Sequence, residues 1–207
     1  RILSGNSDDE LHGGPGNDQI IGRGGNDMIY GDEGEDTLGC GDLLFNCIDP
    51  SDSNAEPGTD VLYGGPDNDT IVGGTGPDVL HGEGGDDYLY VGTWITSEDV
   101  GSNTAFGGNG ADTIHGADGP DALNGEEGAD EIYAYPGDDI VHGNLGDDLV
   151  YGDYGADEIY GDQGDDELHG DSGSDTLTGG AHNTGDDCDG GPDTDTFIGC
   201  ETVTGTP

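Results

Sequence analysis

A chain of 207 residues with 48 acidic side chains, two basic ones and a formal net charge of -46 is no partner for nucleic acid or an anionic membrane surface, both of which need clustered Lys and Arg. Its 29% hydrophobic content, spread thinly among 45 glycines, leaves no apolar run near the ~20 residues of a membrane-spanning helix, so membrane insertion is not expected. By composition alone such a chain stays unfolded, because little apolar surface opposes strong self-repulsion, and something cationic must enter any folded state.

A nine-residue frame, G-G-x-G-x-D-x-U-x with U a large apolar residue, recurs along the chain; Gly73-Gly74-Thr75-Gly76-Pro77-Asp78-Val79-Leu80-His81 is a clean copy. The first block, 4–39, holds four units with position-six acids Asp9, Asp18, Asp27 and Asp36, followed two residues on by Leu11, Ile20, Ile29 and Leu38. An insertion at 40–54 carries Cys40 and Cys47 with Leu43, Leu44, Phe45 and Ile48, and reads as a stapled flap on the repeats or a contact for another molecule. Block 55–90 supplies Asp60, Asp69, Asp78 and Asp87, each again two residues before an Ile or Leu. A second insertion, 91–106, bears Trp94, Ile95 and Phe106, as a local cover or an interaction site. Eight uninterrupted units at 107–178 follow, with Asp112, Asp121, Asp130, Asp139, Asp148, Asp157, Asp166 and Asp175. The last two units, within 181–198, carry Asp186 and Asp195, with Cys188 and Phe197 at position eight. Cys188 lies near Cys200, and an even set of four cysteines in two local pairs, without metal-type CxxC spacing, predicts disulfides formed in an oxidising compartment.

Polar–apolar–polar over three residues is the period-two signature of a short strand with one buried face. The six residues before it are turn-forming and Gly-rich, and nothing repeats at 3.6 residues. Each unit therefore predicts a six-residue turn and a three-residue strand. Strands this short must coil, two units per turn of the coil, into a flattened right-handed solenoid of two parallel sheets with position-eight side chains between them. The expected fold is all-β: one solenoid domain over 1–207 with eighteen units and about nine coils, roughly 43 Å long at about 4.8 Å per coil. Position nine is often Tyr or His, and same-sheet neighbours such as Tyr133 and Tyr151 are expected to stack on the outer face.

These eighteen units resemble the RTX (hemolysin-type) calcium-binding nonapeptide, whose family fold is the parallel β-roll. The physics of the turns points to the same ion. Turns on one edge are two units apart, which places Asp130 next to Asp148 and Asp121 next to Asp139. Carboxylates stacked at about 5 Å in a poorly solvated groove repel by several kcal/mol, and a divalent cation between them reverses the sign. Calcium accepts six to eight oxygens in a flexible shell, whereas magnesium demands a tighter octahedron and holds its water. The resemblance implies multiple calcium ions, with the eighteen position-six Asp residues as side-chain ligands and turn carbonyls supplying the rest. The eight-unit block has room for about three inter-turn sites on each edge. Departures at position four (Ser7, Asp67, Thr184, Asp193) and position one (Ser4, Ala55, Ala134, Ala181) mark weaker sites, and the turn from Ala181 to Asp186 is the least regular.

Each His and Asp falls in the repeat register, and no nucleophile elbow, zinc triad or phosphate loop appears, so no enzyme is expected. The expectation is a secreted structural protein, exported through a cleaved N-terminal signal and folding on calcium outside the cell. Repeats near Arg1 and Pro207, without a dedicated N-terminal cap, predict head-to-tail stacking of copies into a filament. The alternative is a calcium-dependent module of a larger secreted enzyme, toxin or adhesin; a calcium buffer or mineral-nucleating matrix protein is a third option.

Overall fold

A strand with one inward side chain gains stability only from strands above and below it, and the repeat provides both. A computed structural model describes residues 1–39, 58–92, 101–181 and 185–205, and shows two parallel sheets with no helix among these residues. Odd and even strands separate completely. One sheet has eleven strands, from Ile2–Leu3 to Thr202–Thr204, and the other has ten, from Glu10–His12 to Thr196–Ile198. Register follows the frame, so that Ile114 pairs with Ile132, Ile132 with Val150 and Val150 with Leu168. These inward residues fill the space between the sheets, and Leu38, Leu80, Ile132 and Leu177 are fully buried. Each contributes about 1.5–3 kcal/mol of burial, and none has more than its two coil neighbours and the opposite sheet to pack on.

The coil count exceeds the nine expected, at about ten, because three strands lack an aspartate at position six. They are Ile2–Leu3, Thr104–Asn109 and Thr202–Thr204. Thr104–Asn109 begins inside the segment read from the sequence as the insertion 91–106; its inward residue is Ala105, fully buried between Leu80 and Leu123. The expected division into six-residue turn and three-residue strand holds in the eleven-stranded sheet, where strands such as Glu131–Tyr133 have three residues. In the ten-stranded sheet six strands, among them Ala122–Glu127 and Ile140–Leu145, run on to six residues, because positions two and three of the next unit keep pairing. On the opposite edge that pairing shrinks to single bridges, Pro136 with Tyr154 and Tyr154 with Ser172.

Outer faces carry the aromatic ladders. His12, Tyr30, Tyr63, His81 and Phe106 stack at 4.5–5.0 Å on one sheet. On the other, Tyr90, His115, Tyr133, Tyr151 and His169 stack at 4.4–5.2 Å, including the expected Tyr133–Tyr151 pair. Stacked face to face, the rings support the register of the strands beneath them. The Cys188–Cys200 disulfide is present and ties the last coil to the strand that follows it. Cys40, Cys47, Trp94 and Ile95 lie outside the described residues.

Candidate metal centre

Position six does two jobs, one with each carboxylate oxygen. On the edge feeding the eleven-stranded sheet, called the first edge, the acids form a column Asp18, Asp36, Asp69, Asp87, Asp112, Asp130, Asp148, Asp166 and Asp186. The backbone N–H of each donates to Oδ1 of the next at 2.6–3.1 Å, and Asp186 N–H donates to Oε2 of Glu201. On the second edge the column is Asp9, Asp27, Asp60, Asp78, Asn103, Asp121, Asp139, Asp157, Asp175 and Asp195, stitched in the same sense at 2.7–3.1 Å. The eighteen position-six aspartates thus line up in two hydrogen-bonded columns, nine on each edge. Glu201 and Asn103 were missed; the Gly101-x-Asn103 and Glu201-Thr-Val-Thr patterns were their only signal.

The second oxygen, Oδ2, is the one that matters for a cation. In Asp27, Asp36, Asp69, Asp87, Asp112, Asp130, Asp139, Asp148, Asp157, Asp166, Asp175 and Asp195 it is buried and has no hydrogen-bond partner. A buried, acceptor-only oxygen without a donor costs several kcal/mol if it stays charged. The carboxyls respond accordingly. Burial first, opposed in part by the stitching N–H and reinforced by carboxylates on adjacent turns, pushes Asp139 up to about 8. The same burial raises Asp69, Asp87, Asp112, Asp148 and Asp157 to about 7. Asp60, Asp130, Asp166 and Asp175 rise to about 6.

The turns leave room only for backbone and small ions. A methyl added to Gly125, at position one, would lie 2.2 Å from Oδ2 of Asp130 and 2.7 Å from the carbonyl oxygen of Gly143 on the next turn. A carboxylate and a carbonyl from successive turns thus converge on one small cradle. Among the described residues no group of three or more His, Cys, Asp or Glu side chains converges on a point. Orphaned oxygens and an all-oxygen donor set fit calcium.

Two further sets of residues shape the turns. Position two adopts a left-handed backbone in most turns, and nine of these left-handed residues are not glycine: Arg23, Asp32, Glu83, Glu126, Tyr135, Asn144, Asp153, Asp162 and Asp171. Position five stitches in the opposite sense to position six, its side-chain oxygen accepting the N–H of the following turn. Asp86 accepts from Ala111, Asp138 from Ala156 and Asp147 from Asp165, at 2.9–3.0 Å. This ladder was also missed; the frequent Asp or Asn immediately before position six was its signal.

On the first coil two carboxylates depart from the rule. Asp9 is half-exposed and its Oδ2 accepts the hydroxyl of Ser4, which occupies the usual glycine position. Asp18 is also half-exposed, with the Arg1 amino terminus 3.6 Å from its Oδ1. Asp186 joins its column although 182–184 lie outside the described residues.

Compared with known families, the chain matches RTX calcium-binding nonapeptide repeat (4 copies) over residues 3–38, 63–93, 99–132, 115–150, 151–183 and 160–197. No curated protein matches the chain.

Proposed function

The chain belongs to the RTX calcium-binding nonapeptide repeat family, and on that premise we propose that it is an extracellular, non-catalytic structural protein that folds as its turns fill with calcium. The position-six carboxylates of the two columns hold several ions between successive turns, with turn carbonyls as the remaining ligands. One observation carries this reading: Oδ2 atoms stacked turn upon turn, buried and without a hydrogen-bond partner. Bound calcium supplies two positive charges and a preference for hard oxygen ligands. The chain's own contribution is to stack its acids in a groove that bulk water does not reach. Without the ion that arrangement is unfavourable at neutral pH, so binding free energy becomes folding free energy.

The Cys188–Cys200 disulfide supports an oxidising, extracellular location. The finer part of the proposal is end-to-end assembly, in which a second copy stacks its coils on the first through a heterologous contact that lengthens the rod.

Circular dichroism during a calcium titration, reversed with EGTA, tests the reading. The β signal is expected to appear with calcium and vanish on chelation at neutral pH. A chain already β-rich in EGTA refutes metal-coupled folding, and equal action by magnesium refutes the choice of ion. Negative-stain images with calcium test assembly: uniform short particles at high protein concentration refute stacking.

A further inference from the structure

The second edge contains a place where the protein satisfies itself. Asn103 sits in the aspartate column, 2% exposed, with its Oδ1 accepting the N–H of Asp78 and its own N–H donating to Oδ1 of Asp121. The stitch is intact, but the other terminal atom is an amide nitrogen, a donor that cannot ligate a cation. One turn further on, Oδ2 of Asp121 accepts the N–H of Ala117 at 2.8 Å, so the oxygen left without a partner in regular turns is occupied there.

Backbone geometry marks the same spot independently. Every described position-two residue from Gly14 to Gly191 is left-handed except Ala117. The carboxylates on either side of Asn103 also draw back from their cradles. A methyl at Gly73 or Gly116 would lie 3.0 or 3.1 Å from Oδ2 of Asp78 or Asp121, against 2.2–2.6 Å at Gly125, Gly143, Gly152 and Gly161.

We propose that the gaps between the Asn103, Asp121 and Asp139 turns form a metal-free joint that divides the second edge into two separate calcium runs, while the first edge stays continuous. Hydrogen bonds from Ala117 and through Asn103 do there what a cation does elsewhere. The inference rests on calcium binding at the regular turns, and the two fail differently.

The test is an anomalous-difference map of the full chain crystallised with calcium or terbium, paired with ion counting by native mass spectrometry. Peaks are expected between turns along the first edge and on both sides of the joint, with none in the two gaps flanking Asp121. A peak in either gap, for example one held by Asp118, whose Oδ1 is buried without a hydrogen-bond partner, overturns the joint. No peaks anywhere sinks the calcium reading itself. The Asn103→Asp variant, and Asn103→Asp with Ala117→Gly, should bind at least one more calcium than the parent. An unchanged count overturns the proposal, because the asparagine would not be what withholds the ion.

Discussion

Along the first edge a carboxylate stands at position six at every described step from Asp18 to Glu201, and nearly every second oxygen faces a neighbouring turn without a hydrogen-bond partner. Along the second edge the run is interrupted at Asn103, where the column continues and the acid does not. Stitching and cation binding are thus separable duties of one side chain. An amide performs the first as well as a carboxylate does, because only Oδ1 is used; the second needs the charge on Oδ2.

What the edges share yields the largest expected effect. Burial lifts ten of their carboxyls to between about 6, as at Asp130, and about 8, as at Asp139, in the folded, metal-free chain, against the ordinary unfolded value near 3.9. A raised folded value means that this contribution to stability is full below about pH 4 and lost as pH climbs through 6 to 8. A calcium-stripped chain should therefore be disordered at pH 8 and regain β structure on acidification to about pH 4. Calcium-loaded chain should behave oppositely, releasing its ions as pH falls from 8 through 6, because protons compete for the same oxygens. Circular dichroism at matched pH with and without EGTA checks both; more β structure at pH 8 than at pH 4 in the stripped chain contradicts the sign.

Next in size is the glycine requirement, which should not distinguish the edges. A methyl on Gly146 (φ 145°) would fall 1.3 Å from the carbonyl oxygen of Gly128, and one on Gly155 (φ 150°) 1.4 Å from that of Gly137. Gly146→Ala on the first edge and Gly155→Ala on the second should each cost about 3 kcal/mol or more, since the obstacle is backbone that cannot step aside. Thermal melts in saturating calcium read both losses. A much smaller loss on one edge would mean that its coils are stacked less tightly.

These position-four glycines were legible in the sequence, as were the strands, the inward residues and the eighteen aspartates, because a strict period forces each residue type onto one structural place. What escaped was whatever the period does not encode by identity. Asn103 and Glu201 fill the aspartate's place with another residue, so a frame defined by Asp passes over them. The left-handed position two escaped for a related reason: Arg23, Glu83 and Tyr135 adopt a conformation their side chains disfavour, held by the turns stacked on either side. Pairing that extends strands such as Ala122–Glu127 depends on which sheet precedes the turn, and both edges spell their turns alike.

A smaller effect should split by condition. Asp148→Asn copies onto the first edge what Asn103 does on the second, preserving an Oδ1 acceptor for the N–H of Asp130. In EGTA at about pH 7, where Asp148 is part-ionised and the stripped chain keeps part of its fold, it removes a charge that Asp130 and Asp166 oppose, and should stabilise that fold. In calcium it removes a ligand oxygen, and should destabilise by about 1–3 kcal/mol. Melting curves under the two conditions should move in opposite directions. Movement in the same direction would show that position six acts through its hydrogen bond alone.

The smallest effect separates the joint from the regular turns by backbone strain. Glu126 holds φ at 78°, a region that costs a side-chain-bearing residue roughly 1 kcal/mol relative to glycine. Glu126→Gly removes that strain and one negative charge beside the groove, and should stabilise the calcium-loaded rod by about 1 kcal/mol. Ala117 occupies the equivalent position on the neighbouring turn and is not left-handed, so Ala117→Gly has no strain to relieve. It adds only freedom to the unfolded chain, and should destabilise by about 0.5–1 kcal/mol. Glu126→Gln separates charge from conformation: if it matches Glu126→Gly, the gain is electrostatic and position two carries no strain. Opposite signs for the two glycine substitutions, measured side by side in calcium, would place the change of turn geometry between residues nine apart on opposite edges of the same coil.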